Sequence, residues 1–531
     1  MTTLTQAVTA IMMLLTAATA GAQEAVQMRK LQMAAYAMMD AYVDPVPGDT
    51  LVEAAIEAML GKLDPHSTYM NADEVKRFEE QMSGKFYGIG ITFNMLADTA
   101  VVIQTLPGSP AEEAGLLAGD KIIAVDSTAL TGRRMDAGGV TSLIRGAEGS
   151  TVRLTVVRRG LDSPTDFDVR RGKVDVKSVD VATMLAPSTG YVRINNFGAT
   201  TADEFVAAAS DLAHRGMESL IIDLRGNGGG YLGSAVDIIS EFIGRGKVVV
   251  STVGRGGERR DITARAGGRL RSPRVVVLVD DFTASAAEIL SGNIQDYDRG
   301  LVIGRRTFGK GLVQNVLDLP DGSMIRLTTS RYYLPSGRLI QKPYKAGHSD
   351  DYANELLDRY RHGEMFAADS IDFPDSLRYT TLRLGRTVYG GGGVMPDIFV
   401  PLDTTRYNSL HRELVARGCL NRAVLTWLDT RRGQIAAGYD SERDFIDRFT
   451  DDGTLMQALT DDARAAGITP DSTLLAEARP LLALQLKGLA ARDLWTTAAY
   501  VIITAPLDAV LQKALAVLRD GTYEEILGTK R

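Results

Sequence analysis

The spacing of apolar side chains changes several times along the chain. Over residues 24–83 it is helical, with Met28, Leu31, Met38 and Met39 followed by Leu51, Ala55, Ile56 and Leu60, which predicts a small helical domain. That region closes on Leu63-Asp64-Pro65-His66-Ser67, whose proline and polar residues favour a turn. From Gly84 the period shortens to two, and 87–91, 100–103, 121–125 and 152–156 read as short strands divided by turns. Residues 190–342 alternate both periods. Strands are expected over 191–197, 220–224, 247–253, 275–279 and 301–303, and helices over 202–214, 231–242 and 284–297. Such alternation predicts an α/β domain with a largely parallel sheet. Helical spacing returns over 403–531, rich in Leu and Ala and without a catalytic motif, so a packing or interaction domain is expected there.

Composition narrows the chemistry. The 531 residues carry 59 Lys and Arg against 66 Asp and Glu, a net charge of −7 with the histidines neutral, and a nucleic-acid surface is not expected. With 45% hydrophobic and 24% charged residues the chain is an ordinary globular one, long enough for about three to four domains. The single cysteine, Cys419, excludes an intrachain disulfide, a CxxC pair and a cysteine zinc site. The 5 histidines form no HExxH. No metal and no cofactor is expected, and catalysis must come from Ser, Thr, Lys, Asp, Glu or the backbone. Residues 1–23 hold no charged side chain, and an apolar run over 7–20 ends in small residues. This predicts an export signal over 1–22 and a periplasmic protein, membrane-anchored if the segment stays uncleaved, although the usual basic residue before the run is absent.

Two loops follow the carboxyl ends of expected strands, where open α/β sheets place their sites. They are Arg225-Gly226-Asn227-Gly228-Gly229-Gly230 and Asp281-Phe282-Thr283-Ala284-Ser285. The first contains Gly228-x-Gly230-x-x-Gly233, a dinucleotide-like spacing, but the next expected strand ends in Ser251-Thr252-Val253 without the acidic residue a ribose requires. Residues 304–311 nearly spell a phosphate loop. There Lys310 is followed by Gly311 rather than Ser or Thr, and 312–317 alternates as a strand instead of opening a helix, so no nucleotide is expected.

What remains is Ser285 with Lys310. Ser285 falls in the first turn of a helix behind a buried strand, beside unpaired backbone N–H groups. Its plain reading is the capping box Ser285-Ala286-Ala287-Glu288, and that of Lys310 is a solvated loop lysine. A nucleophilic serine needs a base, and the usual Ser/His/Asp arrangement has no candidate in Gly-x-Ser-x-Gly form. A lysine serves if its pKa falls from ~10.4 towards ~7–8, a shift costing on the order of 4 kcal/mol. Phe308, Gly309, Gly311, Leu312 and Val313 offer an apolar setting, and Arg305 and Arg306 would lower the pKa further if close.

The stretch 281–289 is followed by Thr307-Phe308-Gly309-Lys310-Gly311-Leu312-Val313-Gln314, with Lys310 25 positions after Ser285. Together with Asp64-Pro65-His66-Ser67, the GSPAEEAGLLAGDKI block at 108–122, Asp223-Leu224-Arg225-Gly226-Asn227-Gly228-Gly229-Gly230 and Tyr332-Tyr333-Leu334-Pro335-Ser336-Gly337, this resembles the carboxyl-terminal processing peptidases, the S41 or tail-specific proteases. The resemblance covers about residues 25–402. It implies a multidomain α/β protein: a crotonase- and Clp protease-like catalytic core, an inserted PDZ domain, an N-terminal helical segment and a C-terminal helical domain. The corresponding boundaries are 1–22 signal, 23–83 helical domain, 84–172 PDZ domain, 173–402 catalytic core and 403–531 helical domain. It further implies a serine endopeptidase working through an acyl-enzyme, with Ser285 as nucleophile, Lys310 as general base and Gln314 orienting the lysine. The oxyanion hole would be the Ala286 N–H with an amide of Gly229 or Gly230. Ala287 stands where the family often has a second serine. In a regular strand Lys310 and Gln314 would lie ~13 Å apart, so their contact requires an irregular turn at Gly309 or Gly311. The PDZ domain would bind nonpolar protein or peptide C-termini by strand addition at Tyr87, Gly88, Ile89, Gly90 and Ile91. Protein substrates are the implied partners, with no nucleic acid or nucleotide and with a homo-oligomer left open. The alternative reading is a catalytically silent PDZ scaffold that binds protein C-termini.

Overall fold

The computed structural model describes residues 23–528, apart from 97, 98, 134 and 266; the expected signal over 1–22 lies outside the described residues. The chain forms two compact units. Of the described residues, one comprises those up to Val75 with Gln314–Thr328 and Tyr344–Asn354, and the other the remainder.

In the first unit a helix spans 23–41 and a second Gly48–Leu60, as the helical spacing predicts. The expected turn is built by Asp64. Its Oδ1 accepts from the N–H of His66 at 2.9 Å and of Ser67 at 3.1 Å, and its Oδ2 from the Ser67 hydroxyl at 2.6 Å, a side chain mimicking a backbone turn. The strand Thr68–Met70 that follows pairs antiparallel with Met324–Arg326. Thus the helical N-terminal region is completed by segments drawn from far along the sequence.

The second unit opens with a small antiparallel sheet in the order Ile91–Leu96, Thr99–Thr105, Lys121–Val125, Thr151–Val157, Thr165–Arg170. Alternate residues such as Val102, Ile122 and Leu154 join Val140 of helix Ala137–Ile144 in its core. The single strand expected over 87–91 is interrupted. Lys85–Gly88 pairs instead with Gly172–Asp175, Gly90 takes φ +78°, and the next strand begins at Ile91.

The largest parallel sheet runs Val179–Ala186, Thr189–Ile194, Ser219–Asp223, Arg274–Val279, Leu301–Gly304, Ile398–Phe399. Its first pair is antiparallel and the others parallel. The central strands are continuous apolar runs because both faces are covered. On one face Val275, Val277 and Val279 meet the helices Thr201–His214, Leu232–Ile243 and Ala286–Asp296. On the other, Tyr191, Ile221, Val276 and Leu278 meet Leu511, Ala514 and Val517 of helix Ala509–Asp520. The strand expected over 247–253 is real but lies elsewhere. Val248–Gly254 pairs antiparallel with Arg259–Thr263 and with 330–333, and its half-exposed outer end suits an antiparallel sheet rather than a parallel interior.

The tail has a core of its own around Leu428, Phe445, Leu459 and Leu482. It also touches the small sheet, where Leu425 packs with Val101 and Ile103 and Asp429 lies 3.3 Å from the Lys121 ammonium. Among the described residues no single helix is long and apolar enough to cross a membrane.

Candidate active site

Ser285 caps the helix Ala286–Asp296 with φ +56° and ψ −117°. A non-glycine residue at positive φ carries strain on the order of 1–3 kcal/mol and persists only where its surroundings impose it. Those surroundings are visible: Ala284 N–H donates to the Asn227 carbonyl at 2.9 Å, the Thr283 hydroxyl to the Leu224 carbonyl at 2.9 Å, and Ser285 N–H to Glu288 Oε2 at 2.9 Å. The last bond is half of the capping box read from the sequence, but the carboxylate does more than cap. Glu288 is fully buried. Its Oε2 also accepts from Lys310 N–H at 2.8 Å, and its Oε1 from Gly309 N–H at 2.7 Å and from the Thr307 hydroxyl. One buried side chain therefore fixes the backbones of both the serine and the lysine. Burial pushes its pKa up against the pull of these donors. The hydroxyl of buried Tyr332 adds a second bridge, donating to the Lys310 carbonyl and standing 3.2 Å from that of Ser285.

Lys310 precedes the strand Leu312–Asp318 rather than lying in it. Gly309, just before Lys310, takes φ +92°, and a Cβ there would stand 3.0 Å from the Gly393 nitrogen and 3.1 Å from Lys342 Cβ. Arg359 holds the same loop by donating to the carbonyls of Thr307 at 2.8 Å and Phe308 at 3.0 Å. The Lys342 ammonium rests 4.1 Å from the Phe308 ring centroid and 2.9 Å from Glu355. Arg305 and Arg306, expected to depress the lysine by bare charge, each bring a counter-charge: Arg305 Nε donates to Asp281 at 2.7 Å and Arg306 to Glu364. Gln314 belongs to the first unit. There its Nε2 donates to Thr328 Oγ1 at 3.1 Å, and that hydroxyl donates to Asp64 Oδ1 at 2.8 Å. Burial would raise the Asp64 pKa, yet the hydrogen bonds from Ser67, Thr328 and His66 outweigh it and hold the carboxyl below its ordinary value.

The glycine loop lies against the serine. A Cβ on Gly229, φ +99°, would be 2.7 Å from Ser285 Cβ and 3.0 Å from the Ala286 nitrogen, and one on Gly230 would be 2.2 Å from the Phe197 carbonyl oxygen. Only glycine fits either position. Buried Asn227, part of the glycine motif but with no role assigned to it by the sequence, organises the loop. Its Nδ2 donates to the Ile194 carbonyl at 2.7 Å and its Oδ1 accepts from Gly229 N–H at 2.8 Å. Of the two candidate oxyanion amides, that of Gly229 is thus already committed to Asn227. The only signal in the chain was a lone amide side chain among glycines.

In the small β domain, Ile89 and Gly90 are tied by their carbonyls to the 106–111 segment. Ala111 N–H donates to Ile89 at 2.8 Å, and Leu106 N–H and the Ser109 hydroxyl donate to Gly90 at 2.9 and 3.0 Å. Tyr87 and Gly88 are paired with Lys173 and Gly172. That pairing takes up one edge of a two-stranded sheet, and an edge strand of the larger sheet is Ile91–Leu96.

Models of known families match peptidase family S41 over 188–352, a PDZ domain over 101–158, the N-terminal domain of the activating protease CtpB over 3–74 and a family of unknown function over 410–496. A carboxy-terminal-processing protease of Bartonella bacilliformis is 34% identical over 304 residues, which are 56% of this chain and 68% of that protein. The carboxy-terminal processing protease CtpA of Bacillus subtilis is 34% identical over 329 residues, 61% of this chain and 70% of that one. A solved photosystem II D1 C-terminal processing protease aligns at 27% identity over 69% of this chain and 86% of its own, with a TM-score of 0.36. On the strength of the sequence relatives, this chain belongs to the S41 carboxy-terminal-processing proteases and is a serine peptidase with a PDZ domain.

Proposed function

We propose that the protein is an endopeptidase that captures nonpolar C-termini on its PDZ domain and cleaves nearby through a Ser285–Lys310 dyad. The observation that carries this reading is the shared Glu288 carboxylate, 2.9 Å from Ser285 N and 2.8 Å from Lys310 N, which holds a nucleophile and an amine base to one anchor. The neutral Lys310 amine takes the Ser285 Oγ proton as the oxygen attacks the scissile carbonyl. The tetrahedral oxyanion is received by Ala286 N–H and by a glycine-loop amide, Gly230 being favoured because the Gly229 N–H is spent on Asn227. Collapse expels the amine, which takes its proton from the Lys310 ammonium. Water then attacks the acyl-enzyme with Lys310 again as base, returning the Ser285 hydroxyl. For capture, a C-terminal strand would add along Ile91–Leu96, where Ile91, Phe93, Met95 and Leu143 offer half-buried apolar contacts.

Ser285→Ala and Lys310→Ala should each abolish cleavage of an unfolded protein while leaving binding of a C-terminal peptide unchanged. Substantial cleavage by either variant would sink the dyad, and peptide binding without any cleavage by the unaltered protein would return the molecule to a scaffold. The uncharged start of the chain further supports export to the periplasm, which sequencing of the mature N-terminus checks.

A further inference from the structure

We infer that Asp508, in the helical tail, is a positioning residue for the glycine loop beside Ser285; the inference rests on the functional reading above. Arg225 opens that loop. Its guanidinium is held between two carboxylates, Nε to Asp223 Oδ1 at 2.9 Å on one side and, on the other, Nη1 and Nη2 to Asp508 Oδ1 and Oδ2 at 2.9 and 2.7 Å. The forked geometry with Asp508 fixes direction as well as distance. Asp223 is buried, accepts the Arg225 backbone N–H at 3.0 Å and is bonded by the Tyr191 hydroxyl at 2.7 Å. The outer edge of the arginine is thus gripped by a residue 283 positions later in the chain.

The loop needs such grips. Gly226, Gly229 and Gly230 all take positive φ, +72°, +99° and +145°, so the backbone has little stiffness of its own. Its order comes from tethers: Gly226 N–H to Asp280 at 3.0 Å, the two Asn227 amide bonds, and Arg225. Asp508 is the tether contributed by the tail, outside the 188–352 stretch that matches the peptidase model. It also caps the helix Ala509–Asp520, its Oδ1 accepting Leu511 N–H at 3.0 Å. One carboxylate therefore sets both the start of a tail helix and the start of the loop expected to receive the oxyanion.

Asn caps a helix about as well as Asp, so Asp508→Asn removes the ion pair and keeps the cap, whereas Asp508→Ala removes both. In the full-length protein, Asp508→Asn should lower kcat for an unfolded substrate about tenfold with KM unchanged and with the melting temperature near that of the parent. Amide hydrogen exchange of the peptide covering 225–230 should rise in the same variant, with the rest of the sheet unaffected; Asp508→Glu should recover part of kcat. An unchanged exchange rate, an unchanged kcat, or a kcat loss matched by a general loss of stability would overturn the assignment. If the unaltered protein shows no Ser285-dependent hydrolysis, the functional reading fails, and the exchange measurement still decides whether Asp508 orders the loop.

Discussion

The two faces of the catalytic sheet are built from the same strands and by opposite routes. Val275, Val277 and Val279 face helices that alternate with the strands in sequence, and each of these helices begins near a loop at a strand's carboxyl end. Val276 and Leu278, their neighbours, face helices that begin more than two hundred residues later. The first face couples cover and chemistry: the helix that buries Leu290 is the helix that Ser285 caps. The second face is nearly pure cover, touching the site machinery through Asp508. A sheet buried on both sides must recruit a second layer from somewhere, and this chain recruits it from its tail.

The contrast can be broken from either side. On the chemical face Gly229→Ala should have the largest effect, because the new Cβ would lie 2.8 Å from the Ala284 carbonyl oxygen and 2.7 Å from Ser285 Cβ. We expect kcat/KM to fall by on the order of 10²–10³, the scale of a lost oxyanion contact. Wild-type turnover would show that the loop does not serve the serine. On the covering face Leu511→Ala, at a residue only 1% exposed, should cost about 2–5 kcal/mol of unfolding free energy. The loss should appear in one cooperative transition of the core and tail followed by denaturant. Separate transitions, with the core unchanged, would make the tail an appendage.

The smallest effect bears on the Asp223–Arg225–Asp508 link between the faces. Burial alone would raise the Asp223 pKa, but the charge and bonds of Arg225, with the Tyr191 hydroxyl, hold it below its ordinary 3.8. A carboxyl depressed in the native state contributes stability above its unfolded value and loses that contribution as pH falls through the native one, so the benefit is complete above roughly pH 4. In Arg225→Gln the depression disappears and burial raises Asp223 instead. The variant's stability deficit should therefore be full near neutrality and shrink towards about pH 3. Denaturant titrations at the two pH values check this; a deficit that widens in acid contradicts it.

The same contrast explains what could be read from the chain. The strands at Ser219–Asp223, Arg274–Val279 and Leu301–Gly304 were legible because burial on both faces writes unbroken apolar runs, and the loops after them follow from topology. Val248–Gly254 was legible as a strand but not as a member of another sheet, since periodicity identifies an element and not its partner. The pairing of Tyr87 and Gly88 with Lys173 and Gly172 leaves no mark in the periodicity, because its two strands stand at opposite ends of the PDZ region. Glu288 was visible as a helix cap three residues from Ser285, whereas its bonds to Thr307, Gly309 and Lys310 reach 19 to 22 residues away. Asp508 left no trace at all, being an ordinary helix-capping aspartate until the fold sets it against Arg225.

The backbone at Ser285 has a meaning for descent as well as for chemistry. At φ +56° and ψ −117° the conformation suits glycine better than any residue with a side chain, so a serine here stands against a stability gradient that only the proposed reaction would justify. A lineage released from selection for proteolysis would find Ser285→Gly a stabilising step of about 1 kcal/mol. Glycine at this position would then mark descendants that kept the scaffold and gave up the reaction.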